Sequence, residues 1–409
     1  MKIAVIGGGL TGLTAARELR EFCKVTVFEP HWLGGLASSY CRDNYCIEKF
    51  YHHCFRGDDE LLDLIKDLRL ASKLEWRIAR VGYELNGEVY PLNTPVEILR
   101  YPGMSFTDKL KLSLFTLRSR NKNYEKFDDI GVIEGISKEL GEGLYKRFFY
   151  PLLRGKFGEN YGLVSYAWLL ARVAIRSNRT MKGEKLGYMR RGFHQLIERI
   201  VEGFEIRNER AKIQKGSRWI VNGEEYDAVI YTAPLPELGE IIRTEAGVED
   251  IRYQSSICCL VGSESTITED IYWTNLSSGV IFGAIIEHTH FMPFEDYGEH
   301  VIYFAGYTTP DSPLMIMGED EIAKVILKDA GKFGLKSEDV RWVKVFRAKY
   351  SGPIYEKGYL RKITPYRTSL PGFYIAGMTS KPNYPERSMN GSIAAGKEVA
   401  ECVIEDYFS

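Results

Sequence analysis

The chain is 409 residues long, 44% hydrophobic and 27% charged, with 54 Lys and Arg against 55 Asp and Glu for a formal net charge of −1. That length accommodates two or three domains with a large buried core, and the charge balance leaves no electrostatic footprint for a nucleic-acid partner. No apolar run approaches the ~20 residues needed to cross a bilayer, no signal-peptide pattern is read ahead of the first strand-like segment, and seven cysteines without a CxxC pair argue against a disulfide framework or a zinc site. A reducing, cytoplasmic setting is therefore expected.

In chain order, residues 3–6 read as a strand, 7–9 as a glycine turn, 10–22 as a helix and 24–28 as a second strand, a βαβ opening. Apolar residues then recur at helical spacing in Leu61, Leu62, Ile65 and Leu68, and again in Leu110, Leu114 and Leu117. Residues 204–206, 218–221 and 228–231 turn strand-like, with Asn222-Gly223 as a type I′ hairpin turn. Further β segments follow over 257–307, then a strand near 373–377 and a closing helix over about 391–407. The chain thus leaves and rejoins its N-terminal layer. Segments 1–50, 190–238 and 340–409 are expected to form a discontinuous nucleotide-binding domain, and 51–189 with 239–339 a substrate or cap domain.

Gly7-x-Gly9-x-x-Gly12 stands between the first strand and helix. Gly7 suits the tight turn, Gly9 lets backbone approach a pyrophosphate, and Gly12, with Ala16 beyond it, lets helix and strand pack closely. The helix N-terminus then faces an anion. Glu29, closing the second strand, supplies a carboxylate for a ribose diol and repels a 2′-phosphate.

A second glycine turn, Gly34-Gly35-Leu36-Ala37-Ser38-Ser39, follows Glu29. Together the two turns resemble the N-terminal signature of the FAD-dependent amine oxidase, protoporphyrinogen oxidase and phytoene desaturase superfamily. The resemblance implies an α/β fold, a Rossmann-like FAD/NAD(P)-binding domain with an inserted α+β substrate domain, and FAD as cofactor. The loop Pro30-His31-Trp32-Leu33 is one residue shorter than the family's usual spacing, and Leu36 follows the pair where a basic residue is often nearby. The C-terminal segment running to Gly377-Met378, with Ser388-Met389-Asn390-Gly391 beyond it, is similar to the family's closing strand and helix. The resemblance implies that Met389 and Asn390 point helix amides at the flavin C2 carbonyl, that Gly34, Gly35, Leu36, Ser38, Gly377 and Met378 line the cofactor, and that backbone near Arg210 meets adenine. Met378 replaces an Asp common in related flavoproteins. The segments 48–53, 287–291 and 382–387 resemble a protoporphyrinogen oxidase-like subgroup.

That family implies hydride transfer to flavin N5 from a mainly apolar small molecule, with few catalytic protein groups. The strand-like stretch 253–261 has no lysine of the kind amine oxidases of the family place near N5, which counts against simple amine oxidation. His52 and His53 are candidate proton carriers. His288 and His290, at period two, are expected to share a strand face and meet substrate; no third metal ligand accompanies them, and no metal is expected. Tyr355 is expected in the pocket wall, and Tyr355 or Tyr384 beside the flavin. Residues 109–126 carry six Lys or Arg and one acid, and 172–191 seven and one. The amphipathic run 108–126 suits either a peripheral membrane contact or, as preferred, a cap helix with solvated lysines. Two other activities fit the same frame: a UDP-galactopyranose-mutase-like enzyme without net redox, and a flavin-free binding protein like the GDP dissociation inhibitors.

Overall fold

Lys2–Ile6 is buried at every position after Lys2, as a strand covered on both faces must be. It sits at the centre of a five-stranded parallel sheet in the order Glu205–Arg207, Lys24–Phe28, Lys2–Ile6, Ala228–Tyr231, Phe373–Ile375. The computed structural model describes residues 1–42, 44–119, 122–175, 179–180, 183–277 and 279–409. Helix Leu10–Leu19 packs on this sheet and is crossed by the closing helix Met389–Phe408. The crossing is close because Gly396 lacks a side chain: a Cβ there would stand 2.6 Å from the Thr11 carbonyl oxygen. Asn222 and Gly223 both adopt positive φ, at 50° and 86°, and join the antiparallel strands Trp219–Val221 and Glu224–Tyr226 in the expected hairpin.

A second, seven-stranded sheet joins five strands from the C-terminal half to Val81–Leu85 and Glu88–Pro91 from the first quarter of the chain. Tyr253–Ser263, one strand in from its edge, is buried along its whole length and paired antiparallel with the edge strand Val340–Pro353 on one side and His300–Thr308 on the other. Val340–Pro353 therefore belongs to this sheet, so the chain rejoins the parallel sheet after Pro353 rather than at 340. Helices Phe106–Ser119, Val132–Leu140, Tyr150–Phe157 and Tyr166–Ile175 form a helical layer beside it. Gly135 makes room in that layer for the Tyr166 ring, which a Cβ would strike.

Two expectations are corrected. Cys41 and Cys46 form a disulfide, because the short hairpin of Ser39–Cys41 and Cys46–Glu48 sets them directly opposite each other; a spacing without a CxxC pattern gave no hint of it. His288–His290 is a 3₁₀ turn rather than a strand, since Ala284–Glu287 ends just before it. Residues 120–121, within the first basic run, and 176–178 and 181–182, within the second, lie outside the described residues. Among the described residues no helix is long and apolar enough to cross a membrane.

The glycine turn sets a sharp test. A Cβ on Gly12 would fall on the Gly7 carbonyl oxygen and lie 2.7 Å from Thr232 Oγ1, which itself donates to the Ile6 and Gly7 carbonyls. Gly12→Ala should cost about 1–3 kcal/mol as an overpacked site and lower Tm by several degrees in thermal unfolding; an unchanged Tm would show that the turn tolerates the methyl.

Candidate functional site

One cavity of about 1560 Å³ runs from the glycine turn, between the two sheets, into the helical layer. It is larger than the ~300–1,000 Å³ of an ordinary ligand pocket, room for a dinucleotide and a second molecule together.

At its first end Gly7 turns with φ +109°, and Gly9 caps helix Leu10–Leu19. Nothing lies within 4 Å of the position a Gly9 Cβ would take, so backbone is open to the cavity where a phosphate must come close. Glu29 accepts hydrogen bonds from the Gly8 amide at 2.8 Å through Oε2 and from the His31 amide at 2.9 Å through Oε1. Two backbone donors thus fix the carboxylate at the cavity wall. The second glycine turn lies directly against the first: Gly34 N–H donates to the Gly8 carbonyl at 2.7 Å, and a Cβ on Gly35 would stand 3.3 Å from Gly9 Cα. Gly34, Gly35 and Leu36 line the cavity. Ser38 does not; its hydroxyl is buried away from the wall without a hydrogen-bond partner among the described residues. Arg210 lines the same end and reaches Glu237 at 3.4 Å, but its backbone carbonyl already accepts from Asn222 Nδ2 at 3.2 Å.

The closing segment supplies the opposite wall. Gly377, at φ +142°, donates from its amide to Ser380 Oγ and accepts from Asn383 Nδ2; Gly377, Met378, Ser388 and Met389 line the cavity. Ser388 caps the 20-residue closing helix by accepting from Gly391 N–H at 2.9 Å. First-turn amides at Met389 and Asn390 have no intrahelical acceptor, which leaves partial positive charge at this wall. The Asn390 side chain is turned elsewhere, with Oδ1 accepting from the Leu61 amide at 3.1 Å, and Asn390 is not a lining residue. Tyr355 also misses the wall. Its hydroxyl donates to the Asn383 carbonyl at 2.6 Å, and its ring packs on Tyr359 and Tyr384, so it buttresses the loop from behind; Tyr384 is likewise withdrawn, bonded to Asp128.

His52 and His53 both line the cavity. His52 Nδ1 lies 2.6 Å from the Phe50 carbonyl, which can only accept, so Nδ1 carries the proton and Nε2 the lone pair. Burial, assisted by the Arg387 charge, holds its pKa down to about 4. His53 Nδ1 is 3.3 Å from the Tyr272 hydroxyl, and its ring meets Phe55 edge-on. His288 is a core residue: 2% exposed, with Nε2 2.7 Å from the Tyr297 hydroxyl and its ring against Tyr188, and burial lowers its pKa to about 3. It forms no part of the cavity wall.

A group that sequence reasoning did not mark stands between the closing helix and the helical layer. Glu386 pairs with Lys156 Nζ at 2.9 Å and Arg172 Nη1 at 3.3 Å and accepts from Trp168 Nε1, and all four side chains line the cavity with Arg387. Burial pushes Glu386 up, but the Lys156 and Arg172 charges outweigh it and hold the carboxyl at about 2. Burial pulls the Lys156 ammonium down to about 8. Glu386 and Arg387 end the segment 382–387 singled out in the sequence, and Arg172 opens the basic run 172–191, but neither pattern suggested this pairing.

Comparison with known proteins agrees with this geometry. The sequence model described as flavin containing amine oxidoreductase matches residues 10–404. No curated protein matches the sequence. Among solved structures, a candidate protoporphyrinogen oxidase from Exiguobacterium sp. 255-15 is similar at TM-score 0.78 and 18% identity over 99% of both chains. Reduced UDP-galactopyranose mutase gives 0.72 and 18% over 100% of this chain and 96% of the other. Putrescine oxidase bound to putrescine gives 0.68 and 13% over 99% of each. At such identities the likeness is one of fold.

Because the folded pKa values of His52 and His288 lie below the ordinary 6.5, the unfolded chain binds more protons as pH falls, and stability is lost on acidification from about 6.5 downward. Over the full acid range the loss should be about 3 kcal/mol for His52 and about 5 kcal/mol for His288. In ¹⁵N NMR both rings should remain neutral from pH 8 to 5; a midpoint near 6.5 for either would contradict this placement.

Proposed function

The chain belongs to the flavin containing amine oxidoreductase family and is a FAD-dependent oxidoreductase, and from that premise we propose that it withdraws hydride from a mainly apolar small molecule held in the inner chamber of the cavity. The observation that carries this reading is continuity. A single space joins the glycine turns to a chamber walled by Leu112, Phe115, Phe149, Leu153 and Trp168.

The residues present fit the cofactor. Open backbone at Gly9 and the N-terminus of helix Leu10–Leu19 would hold the pyrophosphate, the fixed Glu29 carboxylate the ribose diol, and the closing-helix N-terminus at Met389 the flavin C2 carbonyl. Bound FAD supplies the two-electron acceptor, with N5 taking the hydride. The chain's own part is to exclude water with the apolar wall and to orient. His52, neutral and with Nδ1–H committed to the Phe50 carbonyl, offers Nε2 as a hydrogen-bond acceptor. A pKa near 4 makes it a weak base, so its role is orientation rather than proton removal.

Substrate entry is read from the surface around this chamber. Helix Phe106–Ser119 turns Leu112, Phe115 and Thr116 to the cavity, with Leu117 at its rim and 61% exposed, yet leaves Phe106 72%, Leu110 54% and Leu114 43% exposed, with Val96 and Leu99 exposed on the preceding helix. Arg100, Lys111 and Arg118 are exposed on the same two helices. An apolar stripe set among cations suits an anionic bilayer surface, at about 1 kcal/mol for each basic residue near it. An apolar substrate would then pass from lipid into the chamber.

Anaerobic mixing of the FAD-bound protein with apolar donors should bleach the flavin band near ~450 nm. Net turnover of a UDP-sugar with no acceptor, and no bleaching by any donor, would replace this reading with the mutase-like one. The protein should sediment with vesicles containing phosphatidylserine, and Leu110→Glu with Leu114→Glu should lower that binding at least tenfold while flavin content is kept; equal binding by the variant would remove the membrane contact.

A further inference from the structure

The Lys156, Arg172, Glu386 and Arg387 group is not needed to hold the pyrophosphate, which the first glycine turn provides for. We propose that it is an oxyanion site, and that the molecule taken into the chamber is amphipathic, an apolar body carrying a carboxylate or phosphate head. The inference rests on the chamber being the substrate site and adds what the substrate must carry.

Charge balance is the first argument. Three cations line this stretch of wall, and Glu386 is the one carboxylate among them. The other acids that line the cavity among the described residues are Glu29 and Glu237, at the nucleotide end, and Asp58, which accepts from the Phe55 amide at 2.7 Å. Glu386 is fully engaged by Lys156, Arg172 and Trp168. Arg387 makes no hydrogen bond or ion pair among the described residues. An excess of two positive charges beside an apolar chamber is unfavourable unless a counter-charge arrives.

Placement is the second. Gly352 has no side chain, and a Cβ there would collide with Arg387 Nε, so the strand Val340–Pro353 gives up a side chain where the guanidinium passes. Lys156 and Arg172 are splinted over the Trp168 ring, each 5.5 Å from its centroid, and the Gln254 amide donates to the Lys156 carbonyl. Arg387 directly precedes Ser388, the cap of the closing helix, whose first-turn amides add positive potential on the same side. The neighbouring polar groups are hydroxyls, Tyr51 and Tyr307, bonded to each other at 2.5 Å, and the neutral His52. The surroundings offer donors and positive charge to an oxyanion, while the apolar wall beyond takes the body.

The test is equilibrium binding to the FAD-bound protein by calorimetry and flavin difference spectra, with decanoate, decyl phosphate and decanol as probes. At least one anionic probe should bind tenfold or more tightly than decanol, the tighter of the two naming the head group. Arg387→Met should weaken it at least tenfold and leave decanol unchanged, and Arg387→Lys should restore most of the binding, with flavin content and Tm monitoring the fold of each variant. Decanol binding as tightly as both anions, or Arg387→Met without effect on the anion, would overturn the oxyanion site and leave the apolar chamber standing. No binding by any of the three, together with no bleaching by apolar donors, would overturn both.

Discussion

Backbone packed on backbone at the two glycine turns is the constraint from which the rest of the site follows. Gly12 tolerates no Cβ because the Gly7 carbonyl occupies that space, Gly34 gives its amide to the Gly8 carbonyl, and Gly35 rests on Gly9. Only chain without side chains can come this close, and the closeness sets both the direction of helix Leu10–Leu19 and the open face of Gly9 toward the cavity. Glu29 is held in the same knot, by the Gly8 and His31 amides. The closing helix takes its place by a similar device, with Gly396 against Thr11.

From that fixed end the cavity changes character. Near the turns it offers backbone amides and a pinned carboxylate; farther in its wall becomes largely apolar, with Lys156, Arg172, Glu386 and Arg387 as one charged group in it. Excluding water strengthens every interaction in such a space, and the Lys156 and Arg172 charges act strongly on Glu386 there. It holds Lys156 and Arg172 at the wall and remains ionised although buried. Arg387 lies outside that pairing and adds the second of the group's two excess positive charges.

Much of the parallel sheet was legible in the chain because its signals are local. Strand, glycine turn, helix and terminal acid stand in order within the first 29 residues, and Asn222-Gly223 declares its own hairpin through the positive φ that asparagine and glycine accept most readily. The roles of single polar side chains were far less legible. His288, Tyr355, Ser38 and Asn390 each sat beside a recognisable motif, yet each turns away from the cavity, toward Tyr297, the Asn383 carbonyl, the protein interior and the Leu61 amide. The Cys41–Cys46 bond depended likewise on a hairpin too short to be read from spacing.

The βαβ opening was legible in the sequence because it rests on residues a few positions apart whose backbone demands are met within one turn of chain, and the family and its flavin cofactor because the match runs along the chain from residue 10 to 404. Tertiary structure alone decided what the chamber is made of. Lys156, Arg172 and Glu386 come from segments as much as 230 positions apart, and neither their mutual charge balance nor the vacancy at Gly352 that admits Arg387 exists until both sheets and the helical layer have closed around them. Electrostatic energy depends on distance through space, and that distance is a property of the fold.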